Sequence, residues 1–434
     1  MDDTNILTFS KTTEENCKAL EKAHEKCSEW ARKHGAKFAP EKYQLIYFTR
    51  GRKKHNLQAT VNIPGFDGEP VPSLRLLGVW LDTKLQWGPH IKQAQAKGVA
   101  QMASLTRLCK STWGASFTKA RHLYTAIVRP TLTYGCTTWA TPAGYSGHRP
   151  SLHHPLEIIQ SQALRVISGA YKTTPIPILQ HETGIPPLGT YMKTLILSQA
   201  IKAEGTQASQ DIEQRCKATA LFIHQKYKGR RTRQKPRYQH QTRAATYRST
   251  IPDGGHYHNT KLGKQRWVDT SWAKSWEAVR LERTTTQWDP PPAWATPWQE
   301  RMHRQHEARS RPQSSIITQM RTGHIGLGEY LYKRRIPGKD SPACTCGHPR
   351  QNTKHILLFC PERMKSRAHM ISQAGTSNFS EMLTTTAGQK AAADWMIQQS
   401  LLDQFSIAKD MEGERREGEQ GERQREGAGE GSLP

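Results

Sequence analysis

A chain of 434 residues with 63 Lys+Arg against 37 Asp+Glu carries a formal charge of +26, which favours polyanionic partners, nucleic acid first and an acidic membrane surface second. Only 35% of the residues are apolar while Gly and Pro number 32 and 25, which excludes one large, tightly packed globule and predicts small folded units joined by linkers. No run of about eighteen apolar residues offers a membrane span, the N-terminus lacks a basic-then-apolar secretion signal, and scattered cysteines suit a reducing compartment, so an intracellular protein is expected.

The chain opens on adjacent carboxylates, Asp2 and Asp3, a pair that by itself is most often a solvated turn. Thr12-Thr13-Glu14-Glu15 reads as a capping box with Thr12 as N-cap, and Cys17, Leu20, His24, Cys27, Trp30 and Ala31 recur at helical steps until Gly35. The β-branched and aromatic residues after Pro40, through Tyr43 to Phe48, predict a strand, and Leu74 to Asp82 predict a second. The order is strand remnant, helix, strand, strand.

These motifs, Asp2-Asp3, Glu14-Glu15-Asn16-Cys17, Cys27-Ser28-Glu29-Trp30-Ala31, Phe38-Ala39-Pro40-Glu41-Lys42 and Leu76-Leu77-Gly78-Val79, together resemble the second half of a reverse transcriptase from LINE-type (non-long-terminal-repeat) retrotransposons of filamentous fungi. The resemblance implies that Asp2 and Asp3 belong to the polymerase Asp-Asp hairpin as ligands of catalytic metal, that Lys42 is the lysine following the helix, and that Leu77 and Gly78 lie in the hairpin gripping the primer end. Nucleotidyl transfer uses two divalent ions held by converging carboxylates. The family requires a third carboxylate on an upstream strand, and Asp67 and Asp82 fall in the wrong order to replace it. The expectation is therefore a chain truncated at the Asp-Asp motif, inactive as a polymerase by itself, with Mg2+ relevant only where an upstream polymerase half, a candidate partner, completes the site. Read without the resemblance, Lys42 is a solvated strand-edge lysine and Leu77-Gly78 a bulged strand.

From Pro89 onward Ile91, Ala94, Gly98, Met102, Leu105 and Cys109 mark a long amphipathic helix. A second runs from about Ser116 until Pro130 interrupts it, and a third is entered at Pro155 and closed at Gly169. Leu132 to Trp139 is again typical of the same retrotransposon family. A helical bundle after a palm suits a thumb, whose Lys92, Lys97, Arg107, Lys110, Lys119, Arg121 and Arg129 would meet phosphates without reading sequence; the alternative is a solvated basic helix face. Cys109 and Cys136, with no close Cys or His, read as core thiols.

Between Lys217 and Arg248 no acidic residue occurs, and Lys226, Lys228, Arg230, Arg231, Arg233, Lys235 and Arg237 accompany Tyr227 and Tyr238, a mixture suited to single-stranded nucleic acid, to nuclear import or to a disordered tail. Six tryptophans from Trp267 to Trp298 are irregularly spaced and read as local packing or docking. The alternating strands and dispersed carboxylates of a ribonuclease H domain are not found.

Cys344-Thr345-Cys346-Gly347, His355 and Cys360 form a C-x-C-x8-H-x4-C set, the thiolate and imidazole donors of a closed tetrahedral zinc site. With four protein ligands the zinc is structural, folding a segment that meets RNA or DNA through Arg334, Arg335 and neighbouring basic residues; His324 and His348 read as surface residues. The stretches Met320 to Gly323 and His355 to Pro361 resemble the same fungal proteins. A last helix around Ala391 to Leu401 precedes a charged, apolar-poor tail expected to be disordered.

The expected fold is α+β and predominantly helical: a partial reverse-transcriptase palm (1–87), a helical thumb or connection (88–215), an irregular basic, Trp-rich linker (216–311), a small zinc knuckle (312–370), a short helix (371–410) and a disordered tail (411–434). The function it implies is the C-terminal part of a retrotransposon RNA-directed DNA polymerase binding RNA and DNA, with no membrane and a nuclear location. Two alternatives remain open: a non-catalytic zinc-containing nucleic-acid-binding protein derived from such an element, and an inert gene fragment.

Overall fold

The computed structural model describes residues 4–49, 54–141, 149–203, 206–207, 210–211, 214, 261–286 and 290–406. Asp2, Asp3, the basic run Lys226 to Arg237 and the tail from 407 onward lie outside the described residues. Two compact units divide at Ala96/Lys97. Among the described residues the fold is mainly helical, with one two-stranded sheet.

In the first unit, α1 (Thr13–Lys33) has its predicted N-cap but only half of the capping box: the Thr12 side chain accepts from the Glu15 N–H at 3.1 Å, while the Glu15 carboxylate accepts from the Lys11 N–H, one residue before the N-cap. Its inner face supplies Cys17 to a small core with Leu45 and Val61, sealed by Leu20, Tyr47, Ile63 and Phe66. The strand predicted after Pro40 is not formed. Pro40–Lys42 is a 3-10 turn, and the chain beyond it is extended but unladdered. Leu45 C=O accepts from Val71 N–H, and the Tyr47 hydroxyl, not its backbone, reaches Ala59 C=O at 2.7 Å. Aromatic and β-branched residues favour extension, but a strand needs a neighbour for its N–H and C=O groups. Residues 4–10 likewise form no strand.

The second predicted strand is a hairpin. β1 (Ser73–Leu76) pairs antiparallel with β2 (Val79–Asp82), leaving Leu77 and Gly78 as the two-residue turn. Both turn residues have positive φ, 46° and 85°, the sign pattern of a type I′ turn that matches strand twist. Asp82 then organises the chain behind the hairpin: its carboxylate accepts from the backbone N–H groups of Lys84, Gln86 and Trp87 at 2.6–3.0 Å.

α2 (Gly88–Leu108) contains the boundary between the units. In the second unit, α3 (Phe117–Leu123) continues through a π turn at Tyr124–Val128 into α4 (Arg129–Leu132), so Pro130 sits in the first turn of a helix instead of interrupting one. α5 (Cys136–Trp139) follows, then α6 (Pro150–Ser168), which begins a turn before Pro155 and ends on Gly169 in the left-handed conformation. α7 (Ile176–Thr183) and α8 (Leu188–Ala203) complete this helical group. Gly98 lets α2 approach closely, since a Cβ there would meet Leu132 Cδ2 at 2.5 Å and Ile159 Cδ1 at 3.1 Å. Cys109 and Cys136 are buried thiols, as their isolation in sequence implied.

Part of the segment read as an irregular linker is regular: Lys261–Thr286 is a 26-residue helix, α9. Trp276 stacks on His181 at 4.3 Å and lies parallel to Trp294 of α10 (Pro292–Ala295) at 5.4 Å, while Trp298 Nε1 donates to Asp269 C=O. These tryptophans are packing residues that join α9 to α7. α11 (Arg311–Thr322), with a full capping box between Ser310 and Gln313, and α12 (Gly328–Lys333) precede the cysteine loop; α13 (Met364–Ala374), α14 (Phe379–Met382) and α15 (Thr386–Gln398) close around it. Ile316, Ile317, Met320, Ile356, Leu357, Met370, Trp395 and Met396 form their shared core.

Candidate metal centre and nucleic-acid interface

The four residues of the C-x-C-x8-H-x4-C pattern converge. One ligand atom from each of Cys344, Cys346, His355 and Cys360 lies within 4.8 Å of all the others. Cys344 Sγ and Cys360 Sγ are 4.0 Å apart, and Cys346 Sγ is 3.3 Å from His355 Nε2. A zinc ion with bonds of about 2.3 Å to sulfur has ligands roughly 3.8 Å apart at tetrahedral angles. The donor set and spacing therefore fit zinc, which those four residues would hold as a closed, structural ion lending folding energy to the segment.

Local sequence builds this geometry. Gly347, at φ 88°, turns the chain so that its N–H donates to Cys344 C=O and the Cys344 N–H donates to His348 C=O. Asn352 accepts from the His355 N–H at 2.9 Å, starting the π turn His355–Phe359 whose His355 C=O accepts from Cys360 N–H. Thr345 donates to the Glu362 carboxylate at 2.7 Å, tying the loop of the first two ligands to the turn after the fourth. Gln351 links the loop to α12: its Oε1 accepts from Gly328 N–H, its C=O from Glu329 N–H, and its Nε2 faces Cys344 Sγ at 3.9 Å.

The electrostatics agree with a cation site. Burial pushes the Cys344 thiol up, but the Cys346 backbone N–H and hydrogen bonds from Cys346, Cys360 and Thr345 outweigh it and hold Cys344 below the usual thiol value. Burial and the neighbouring thiols push Cys360 up to about 11. Burial, then His348 and Arg367, lowers His355 and favours the neutral imidazole a metal requires. Three thiols this close cannot all ionise without a positive charge among them.

His348, expected at the surface, is exposed, and its ring stacks on His355 at 4.1 Å. His324, also expected there, is half-buried: it packs against Tyr330, and its Nδ1 pairs with the Thr173 hydroxyl at 3.0 Å. Burial lowers it to about 4. Arg334 and Arg335 follow α12 and are exposed, Arg334 above the Tyr330 ring at 5.5 Å.

Lys42 is exposed at the end of the 3-10 turn, and Leu77 is exposed at the hairpin tip. Of the basic residues expected to meet phosphate, Lys92, Lys97, Arg107, Lys110 and Lys119 are exposed. Two are not free for phosphate. Arg121 donates to the carbonyls of Thr183 and Gly184 at 2.7 and 3.1 Å, and Arg129 lies over the Tyr191 ring at 4.0 Å.

The sequence reading missed the polar centre of the second unit. Arg321, fully buried, forms an ion pair with the equally buried Glu182 at 2.9 Å. It also donates to Leu383 C=O and to Thr296 Oγ1, and Gln305 completes the shell around Glu182 at 2.7 Å. Arg311 caps two helix ends, donating to Val166 and Ile167 C=O at the close of α6 and to Lys110 C=O just past α2. The one local signal was arginine beside the apolar Ile316, Ile317 and Met320 of the same helix.

No helix among the described residues is long and apolar enough to cross a membrane. No family model matches the chain, and no solved structure matches it. Similarity is found to retrotransposon proteins of Drosophila melanogaster. The chain is 23% identical over 167 residues to the "Probable RNA-directed DNA polymerase from transposon BS", covering 38% of this chain and 18% of that protein. It is 24% identical over 199 residues to the RNA-directed DNA polymerase from mobile element jockey, covering 45% and 20%. It is 21% identical over 306 residues to the 115 kDa protein in type-1 retrotransposable element R1DM, covering 70% and 25%. The matched region is thus a quarter or less of each of these proteins. These relatives are insect proteins, so the fungal affinity rests on the motifs alone. The similarity supports a relationship between this chain and the RNA-directed DNA polymerases of LINE-type retrotransposons.

Proposed function

We propose that this chain is the part of a retrotransposon RNA-directed DNA polymerase comprising the last palm elements, a helical thumb and a zinc-bound C-terminal segment, and that it binds RNA and DNA. The observation that carries the proposal is the coincidence of similarity to retrotransposon polymerases with a complete Cys3His ligand cluster. In this reading Asp2 and Asp3 ligate catalytic Mg2+, Lys42 serves the polymerase site, and Leu77-Gly78 presents the primer end. Lys226 to Arg237, Arg334 and Arg335 bind nucleic-acid phosphate, and zinc on Cys344, Cys346, His355 and Cys360 is structural.

Polymerisation needs a third carboxylate beside the Asp pair. Asp82 is occupied with its own turn, so these 434 residues do not supply one from that position. In this reading the remaining carboxylate is supplied by another segment of the polymerase, and the basic run directs the protein to the nucleus. The test combines binding and catalysis. Purified protein is titrated with RNA and DNA oligonucleotides at several salt concentrations, then assayed for primer extension on an RNA template with Mg2+. Affinity falling steeply with salt, without incorporation, is expected. Absence of binding at low salt would sink the proposal, and incorporation abolished by Asp2→Ala would overturn the dependence on a partner segment.

A non-catalytic nucleic-acid-binding role is the second reading. Its support is that a metal held by Cys344, Cys346, His355 and Cys360 would have no open coordination position for chemistry, a feature the polymerase reading shares.

A further inference from the structure

From residue 83 to residue 156 the sequence contains no Asp or Glu. Within that stretch, in the second unit, a tight loop joins α2 to α3. Cys109 and Gly114 form a bridge, the Lys110 N–H donates to Trp113 C=O at 3.0 Å, and the Ala115 N–H donates to Leu108 C=O at 2.9 Å. Gly114, at φ 97°, is required: a Cβ there would lie 2.2 Å from Leu108 O. The loop is braced from within, as the Lys110 carbonyl accepts from Arg311 and the Ser111 carbonyl from the Ser315 hydroxyl at 2.6 Å. Outward it presents Trp113, 49% exposed, beside Leu108, 55% exposed. Arg107, Lys110 and Lys119, all exposed, lie within six residues of the indole along the chain.

We propose that Trp113 is a stacking platform for an unpaired nucleobase, with Arg107, Lys110 and Lys119 holding the adjacent phosphates. Two physical arguments converge on a nucleic-acid strand. An aromatic face is complementary to any base and stacks without sequence preference. The surrounding stretch carries positive charge with no carboxylate to repel phosphate. Bracing by Arg311 and Ser315 fixes the loop before binding, which lowers the ordering cost of presenting the ring. Neither of the two arginines engaged internally, Arg121 and Arg129, takes part.

This site rests on the nucleic-acid-binding reading above and adds a preference for single strands over duplex. The test measures the full chain by fluorescence anisotropy against a labelled oligo-dT, an oligo-U and a blunt DNA duplex. Trp113→Ala should weaken both single strands about tenfold, leave the duplex unchanged and keep the same salt slope, because no charge is lost. Trp113→Phe should recover most of the affinity. Arg107→Gln with Lys110→Gln should instead reduce the salt slope. Unchanged melting of the variants establishes that the fold persists.

Wild-type affinity for single strands retained in Trp113→Ala would overturn the site while leaving nucleic-acid binding intact, and a simultaneous change in sedimentation would reassign the ring to a protein contact. Equal loss for single strands and duplex would also overturn it. Wild-type protein binding neither form would overturn both readings.

Discussion

Arg321 and Glu182 stand 139 positions apart in the chain and form an ion pair with neither side chain exposed. Arg321 is in α11, ahead of the cysteine loop, and Glu182 is in α7, among the helices from α3 to α8, so one interaction ties these two parts of the second unit. Two charges removed from water are stable only when each is fully partnered. Here the guanidinium has the carboxylate, Leu383 C=O and Thr296 Oγ1, and the carboxylate has Gln305 as well.

Removing one partner strands the other charge in the interior. Arg321→Met or Glu182→Gln should each destabilise the second unit by about 3–5 kcal/mol, read from urea unfolding. The double variant Arg321→Met/Glu182→Met should recover part of that loss. If each single variant unfolded at the wild-type midpoint, the pair would not be a structural hub.

Metal content is the next expectation. Purified protein should carry close to one equivalent of zinc by elemental analysis, and chelation should unfold the region from Arg311 to Gln398, because its core is assembled around the ligand loop. Cys344→Ser should abolish retention. Full stability after complete chelation would remove zinc from the folding of this segment.

Acid should weaken the second unit in a defined window. Burial pulls His181 down to about 4, Glu182 partly opposing it; burial, then Arg121, Arg304 and Arg301, pulls His303 to about 4; burial, then Arg334, does the same to His324. Their ordinary value is about 6.5, so between pH 6.5 and 4 the unfolded chain binds protons that the folded chain refuses. Stability is therefore complete above pH 6.5 and declines as pH falls towards 4, with His181 alone worth on the order of 3 kcal/mol. Urea midpoints across pH 4–8 check this, and His181→Phe should flatten part of the slope.

Leu77 holds φ 46° at the hairpin tip, a conformation that costs a non-glycine residue about 1–2 kcal/mol. Leu77→Gly should stabilise the first unit, or leave it unchanged once the added unfolded-state entropy is counted, while reducing affinity for a primer-template duplex. Duplex affinity equal to wild type would remove Leu77 from the proposed primer contact.

Features fixed by neighbours in sequence were legible from the chain alone. Thr12 caps α1 through the Glu15 N–H as predicted, although the Glu15 carboxylate does not return to Thr12, and Gly169 ends α6 where its backbone freedom suggested. The convergence of Cys344, Cys346, His355 and Cys360 was legible too, since all four fall within one short segment. By contrast, the extended stretch after Pro40 lacks a neighbouring strand, which no local propensity reports. Arg121 and Arg129 read as basic surface because composition cannot show that Thr183, Gly184 and Tyr191 meet them. Arg321 was hidden for the same reason, its partner being far along the chain.

The bonds of Arg311 to Lys110, Val166 and Ile167 span 201, 145 and 144 positions. During synthesis, α2 and α6 emerge long before the guanidinium that satisfies their last carbonyls. Until residues past 311 leave the ribosome, these helix ends and the face awaiting α11 stay uncovered, so the second unit folds late and as a whole. A message cut short between Ala203 and Arg311 would yield a helical group without its closure, prone to aggregation and to proteolysis.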